Sequence, residues 1–552
     1  MNRNVESHFS IAPTASIGRS SFDMSHTHKT TFNAGDLIPV DWQEVLPGDT
    51  FSVDTSFVAR MTTPIFPVMD NCYLDYYYFF VPNRLLWEHW EQFCGANDDI
   101  TAWETPVTYE VPQVTAPSGG WTEGTLADYL GVPTKVGNIS VSALPFRAYA
   151  KIFNDFFRDE NVTTPCNLPL SDTTQSGSNG TTQVTDVVNG GAPAKVSKYH
   201  DYFTSALPFV QRGPAVTIPL GTSAPVYTGA SNNPASASNN KLHFTTPGGN
   251  PITGNGPVGI TSSGDFALGS GTWSPSQEIV PSNLYADFSK ATAATINELR
   301  QAFQIQRLYE ATARSGSRYI EILKGLFGVT SPDARLQRPE YLGGKRVPIS
   351  MQQVLQTSST DSVTPQGNTA AYSLTSDRAS SFTHSFVEHG ILMCLAAVRT
   401  QHSYQQGLDQ KWTRKRRFDF YYPQLAHLGE QPILNKEIYL QGSTVVNAVT
   451  GKAYDEEVFG YQEAWATYRY QNNRVSGLFR SNATGTLDAW HYADNYSSLP
   501  VLGSTWISEP KSNIQRTLAV SGEDQFIADF YFKTKAVRPM PMYSVPGLID
   551  HN

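Results

Sequence analysis

CYLDYYYFFV, residues 72–81, carries a single charge, Asp75. Alternate side chains of an extended chain point to opposite faces, so Cys72, Leu74, Tyr76, Tyr78 and Phe80 line one face and Tyr77, Phe79 and Val81 the other. A strand apolar on both faces must be covered on both, which makes it the central strand of a layered β core. Working outward, Phe51, Val53, Thr55, Phe57 and Ala59 recur at period two and predict a half-buried strand from Thr50. Near the C-terminus, over 525–535, Phe526, Ala528, Phe530 and Phe532 alternate with Ile527, Asp529 and Tyr531 in the same way. Shorter strands are expected at RFDFYY (417–422) and IYL (438–440).

Helical spacing occurs between these strands. Asn83, after Pro82, is a candidate N-cap for a short helix with Leu86, Trp90 and Phe93 on one face. Phe146, Tyr149, Phe153 and Phe156 predict a second helix over 146–158. A third is expected from Ala291 to Arg314, presenting Ile296, Leu299 and Phe303, then Ile305, Leu308 and Tyr309. Strands at both ends, helices and irregular excursions between, and no internal repeat describe an antiparallel β sandwich of jelly-roll proportions with long loops.

Composition narrows the function. Aromatic residues make up 12% and charged residues 16% of 552 positions, where soluble proteins carry about a quarter charged. That balance suits a chain that covers its surface with copies of itself, and equally a large β-rich monomer. The net charge of −9 excludes nucleic-acid binding by the whole surface and leaves room for a local basic patch. Cys72, Cys94, Cys166 and Cys394 have no metal-ligand or redox spacing and read as buried thiols. No apolar run is long enough to span a membrane.

Two regions stand out. Residues 1–45 are polar and weakly periodic, and read as an extended arm ordered by lying on something else. From Gly221 to Asn283 the only Asp, Glu, Lys or Arg residues are Lys241, Asp265 and Glu278, and Tyr227, Phe244, Phe266 and Trp273 stand isolated among Gly, Ser, Thr, Asn and Pro. A neutral stretch of that length is a linker or a recognition excursion from a rigid scaffold.

Few motifs carry chemistry. Gly254, Gly256 and Gly259 match a dinucleotide fingerprint in spacing, but flanking Pro251 and Pro257 make them turn glycines. His26 and His28, with His8 nearby, lack a surrounding ligand set, and His384 and His389 do not fit the zinc-protease helix pattern. The acidic runs Asp98-Asp99 and Asp455-Glu456-Glu457 consist of neighbours that a strand would point apart. No metal, cofactor or catalytic residue is expected. The sharpest electrostatic feature is Lys411-Trp412-Thr413-Arg414-Lys415-Arg416-Arg417, five cations around one indole. It suits phosphates with a ring for base stacking, or a strand edge kept soluble by charge.

Several segments together resemble the major capsid proteins of microviruses, small icosahedral single-stranded DNA phages, and most closely the gokushovirus branch. They are SHFSIAP (7–13), SFDMSH (21–26), LPGDTF (46–51), YFFVPNRLLW (78–87), DYFTSALPF (201–209), RFDFYYP (417–423), HLGEQP (427–432) and FGYQEAW (459–465). They run in order along nearly the whole chain. The resemblance implies an eight-stranded jelly roll with long inter-strand insertions, repeated in a T=1 shell around a circular single-stranded DNA genome. It implies that the 221–283 insertion forms a threefold protrusion that meets a host receptor, with Tyr227, Phe244, Phe266 and Trp273 as contact candidates. Lys411, Trp412, Arg414, Lys415, Arg416 and Arg417 become candidates for DNA contact or for a bridge to a neighbouring subunit. Implied partners are an internal scaffolding protein, a small basic DNA-binding protein and a DNA pilot protein, with assembly in the host cytoplasm. The contrasting expectation is a carbohydrate-binding or carbohydrate-active β sandwich, which would need a cleft with convergent carboxylates.

Overall fold

Cys72–Pro82 lies between two partners, as its two apolar faces require. In the computed structural model of the chain, the described residues are 18–96, 108–214, 296–315 and 337–543 except 359 and 361–364, with Val216, residues 324–325 and a few short paired strands besides. The sandwich strands, in chain order, are β1 (Ser20–Asp23), β2 (His26–Phe32), β3 (Ile38–Val45), β4 (Thr50–Met61), β5 (Cys72–Pro82), β6 (Glu340–Pro348), β7 (Thr375–Ser385), β8 (Gly390–Thr400) and β9 (Phe526–Arg538). One sheet runs β1–β9–β4–β7, with β2 following β1 along the same edge of β9; the other runs β6–β5–β8–β3. All neighbouring pairs in both sheets are antiparallel. The mainly β, antiparallel sandwich expected from the sequence is what the chain forms.

Alternation explains the two cores. Phe51, Val53, Phe57 and Ala59 of β4 and Phe526, Ala528, Phe530 and Phe532 of β9 face Leu74, Tyr76, Tyr78 and Phe80 of β5 and Leu392, Cys394 and Ala396 of β8. A polar contact crosses this interior, where the Thr55 hydroxyl meets the Tyr78 hydroxyl at 2.8 Å. The odd-numbered faces of β5 and β8, including Phe79, Val81, Met393 and Leu395, build a second core with residues from the 114–196 segment. Its centre is α1 (Leu144–Ile152), which continues into a wider π turn at Phe153–Phe157, close to the predicted 146–158. Tyr149 is buried there, donating its hydroxyl to Leu37 O (2.5 Å) and accepting from Ala194 N (3.0 Å). Each fully buried aromatic of this kind contributes roughly 1.5–3 kcal/mol by leaving water.

Beyond β8 a wholly buried charge cluster fixes the chain. His402 bonds Asp494 and Glu509, each at 3.0 Å, and Lys198 reaches Asp494 at 3.3 Å. Burial opposes the charged imidazole, but the two carboxylates outweigh it and hold His402 up at about 10. Both cations are matched by an anion, which is what allows the cluster to be buried.

The structure departs from several expectations. The arm of residues 1–45 is, from Ser20 onward, part of the sandwich: β1 and β2 pair with β9, and β3 pairs with β8. Its apolar periodicity is weak because the covered positions of β2 are His26, His28 and Thr30 before Phe32, while Thr27, Lys29 and Thr31 are exposed. Residues 1–17, including His8, lie outside the described residues. His26 bonds Met24 O and Asp41, and His28 bonds Val40 O, so these rings join β2 of one sheet to β3 of the other. The hydrogen bond to Asp41 lifts His26 to about 9. His384 lies 3.5 Å from Glu340. The helix expected at Asn83 is broken into a single turn, Asn83–Leu85, and a short helix, Trp90–Phe93, leaving Phe93 exposed. Cys72, Cys166 and Cys394 are buried, but Cys94, at the end of that short helix, is exposed.

Two predicted strands are turns. Arg417–Asp419 is a 3₁₀ turn because the Asp419 carboxylate accepts the backbone N–H of Arg416 (2.7 Å) and Lys415 (2.8 Å), and Pro423 opens another turn just beyond. At 438–440, Ile438 ends the short helix Asn435–Ile438, started where Glu437 accepts from Leu434 N at 3.1 Å. Of the acidic run, Asp455 accepts from Gln441 N and Gly442 N, and Glu457 from Asn447 and Thr450, so both serve turns. Asp98 and Asp99 lie outside the described residues.

The chain forms two compact units, residues 1–210 with 316–552, and residues 211–315. The second holds the helix α2 (Ile296–Ser315), near the predicted bounds, with Phe303 and Leu308 exposed. Its strands pair in nested order, Val226–Thr228 with Leu284–Ala286, Phe244–Thr245 with Val280–Pro281, and Val258–Ile260 with Phe266–Leu268. This unit extends beyond 221–283 on both sides, and the three strand pairs lie within it.

Candidate nucleic-acid interface

The basic run sits on a layer of turns packed over a third apolar cluster. Tyr202, Phe203, Tyr404, Ile433, Ile438, Phe459, Trp506 and Ile507 form that cluster, beside the two-stranded sheet of Glu430–Leu434 and Val458–Glu463. Trp465 is held at φ 67°, a conformation few non-glycine residues adopt. Its indole donates to Leu425 O at 2.8 Å, tying the 423–425 turn to the 466–468 turn.

Above this support the seven residues divide. Asp409 caps the turn Gln410–Trp412, accepting from Lys411 N at 3.1 Å and pairing with the Lys411 ammonium at 2.8 Å. Trp412 is 73% exposed, an unusual position for a large ring. Arg414 turns inward, donating to Thr467 (2.9 Å) and lying over the Tyr468 ring at 4.2 Å. Lys415, Arg416 and Arg417 are exposed. The backbone N–H groups of Arg416 and Lys415 keep the Asp419 carboxyl below the usual carboxylate range. The ionised Asp419 carboxylate thus ties the loop backbone at Lys415 and Arg416, and the side chains of Lys415, Arg416 and Arg417 are exposed. Phe418, Phe420 and Tyr421 remain exposed beside them.

The fold adds residues that the sequence reading missed. Lys411 and Trp412 line a cleft of about 420 Å³ whose other wall is the stretch Tyr470–Arg480. Arg474 reaches it from that wall, and Arg480, also there, is anchored by a bond to Gln405 O at 2.7 Å. At the floor, Gly407 approaches the Glu437 backbone so closely that a Cβ would stand 1.9 Å from its carbonyl oxygen. Burial pushes the Glu437 carboxyl up to about 7, and Tyr202 donates to it at 3.0 Å. The signal for the second wall was present as YRYQNNR, residues 468–474, which interleaves rings, cations and amides like the first run.

The receptor-loop candidates fall on the other unit. Tyr227 lies in the Val226–Thr228 strand opposite Tyr285, Phe244 opposite Pro281, and Phe266 opposite Ile260. Trp273 lies outside the described residues, as do Gly254 and Gly256. Gly259 is in a strand opposite Ala267, not at the start of a helix as the dinucleotide fingerprint requires. Among the described residues no group of three or more His, Cys, Asp or Glu side chains is arranged to hold a metal ion.

Comparison with known proteins covers the chain almost end to end. Residues 10–548 match the family described as Capsid protein (F protein). The chain is 43% identical to capsid protein VP1 of Chlamydia phage 1, over 99% of this chain and 98% of that protein. It is 43% identical to capsid protein VP1 of Spiroplasma virus 4, over 98% and 97% of the two chains. Identity to capsid protein VP1 of Bdellovibrio phage phiMH2K is 42%, over 99% and 98%.

Proposed function

The chain belongs to the F-protein family of phage capsid proteins, a structural component of the virion that assembles with its own copies, and from that premise we propose that its basic, aromatic turn layer faces a packaged single-stranded DNA genome. It is a structural protein and not an enzyme, so the contrasting carbohydrate-active reading is set aside. The observation that carries the proposal is the pairing of exposed Trp412 with exposed Lys415, Arg416 and Arg417 on a chain of net charge −9. Cations neutralise backbone phosphates, while exposed rings stack on unpaired bases.

The finer reading is a T=1 icosahedral shell enclosing circular single-stranded DNA, assembled in the host cytoplasm with an internal scaffolding protein and a DNA pilot protein. A small basic DNA-binding protein would neutralise most of the genome, which accords with the acidic balance of this chain. The 211–315 unit, containing the neutral 221–283 stretch, is proposed as the threefold protrusion that meets a host receptor. Its paired strands support that reading by giving a long neutral excursion a backbone of its own. Exchanging 221–283 between related phages should change host range and leave particles intact; unchanged adsorption would overturn the receptor role.

Replacing Lys415, Arg416 and Arg417 by Gln tests the DNA-facing proposal. Shells of normal size with less packaged DNA are expected. Failure to form shells would favour an inter-subunit contact, the second reading, which exposed Phe418 and Phe420 next to these cations support.

A further inference from the structure

We propose that the cleft between Trp412 and the Tyr470–Arg480 stretch is a binding pocket for one unstacked nucleobase of single-stranded DNA. This rests on the reading that the 411–417 face meets the genome, and it deepens that reading from charge neutralisation to base binding. The cleft is about 420 Å³, within the range of small-molecule sites. Its lining has the three groups a nucleotide needs. Trp412 and Tyr470 are exposed rings that offer π faces. Gln471 and Asn472 line it with amides that make no side-chain hydrogen bond among the described residues, so donors and acceptors are free for a base edge. Arg474 is exposed and its guanidinium pairs with no carboxylate among the described residues, which leaves it to a phosphate.

The shape is held from behind. Asp409 fixes the turn carrying Trp412, the Gly407 contact sets the floor, and Asn473 donates to His402 O at 3.1 Å, which anchors the opposite wall to the buried charge cluster. A ring that stacks here is held between two supported walls. The site is sequence-tolerant, because every base has a π face and flexible amides suit more than one edge. Arg414, by contrast, is spent on Thr467 and Tyr468, and Lys415, Arg416 and Arg417 lie outside the cleft, so base binding and phosphate binding fall on different residues.

That separation makes the test. Full-length protein is titrated with a fluorescent oligothymidylate and with an oligonucleotide of the same length whose sites are abasic, by anisotropy. The base-bearing strand should bind more tightly. Trp412→Ala should weaken it by about tenfold, toward the abasic level, and leave the abasic strand unchanged. Trp412→Phe should retain most of the difference. Because Trp412 is exposed, the melting temperature of each variant should match the wild type. Gln replacement of Lys415, Arg416 and Arg417 should weaken both strands alike. If the two strands bind equally while the charge variant weakens both, the face meets DNA but the pocket proposal is overturned. A base preference that survives Trp412→Ala overturns it too. If neither strand binds, the DNA-facing reading itself fails.

Discussion

The sandwich and the turn layer over the third cluster are built from similar residue types and use them in opposite ways. In the sandwich, Phe51, Phe57, Tyr78, Phe526, Phe530 and Phe532 are buried, and their contacts are complete within one chain. In the turn layer, Trp412, Phe418, Phe420, Tyr421 and Tyr468 leave much of their surface in solvent. Aromatic residues in the first place supply stability; in the second they are available to something outside the chain. Regular strands can bury a ring every second residue, whereas short 3₁₀ turns cannot, because successive side chains point away from any single core.

The comparison breaks most sharply if core and surface rings respond alike to truncation. Phe530→Ala should destabilise the unassembled chain by about 3–5 kcal/mol in denaturant unfolding. Of similar size is the loss for His402→Gln, about 3–5 kcal/mol, because Glu509 would be left buried without its cation while Asp494 keeps only Lys198. The pH dependence sharpens this. His402 is held near 10 and His26 near 9, both above the ordinary 6.5. Their contribution is complete below about pH 6.5 and is lost as pH rises through 9 to 10. Melting temperature should therefore fall across that alkaline window, and His402→Gln should flatten most of the fall, with half-exposed His26 giving the smaller part. On the other side of the comparison, Phe418→Ala should change stability by less than about 0.5 kcal/mol. The smallest global effect belongs to Asp419→Ala, which should leave the melting temperature unchanged while trypsin cleaves faster after Lys415, Arg416 and Arg417. Unchanged cleavage would mean that the carboxylate does not hold that loop.

How far these regions were legible follows from the same physics. The strands at 50–61, 72–82 and 526–538 and the helix near 146–158 could be read because one period is repeated until a face is complete. β8, GILMCLAAVRT, went unread as a strand although it is apolar on both faces like β5. The segment 417–422 was misread because alternating rings imitate a strand; what decides it is one side chain, Asp419, capturing two amides. Residues 20–45 looked irregular because the covered positions of β2 include His26, His28 and Thr30 rather than a run of apolar side chains, and because β3 buries Asp41 and Gln43. At the candidate site the cations of 411–417 were visible in the sequence, but the cleft was not. Its second wall lies some sixty residues away, and bonds such as Asn473 to His402 O and Arg480 to Gln405 O, between segments distant in sequence, hold 470–480 in place.

The central claim is that the 411–417 face looks toward the genome in the assembled particle. Photo-crosslinking intact virions, followed by peptide mapping, tests it directly. The account predicts that peptides covering 411–417 and 468–480 carry nucleotide adducts and resist trypsin added from outside. It is contradicted if those peptides carry no adduct and are cleaved on the intact particle.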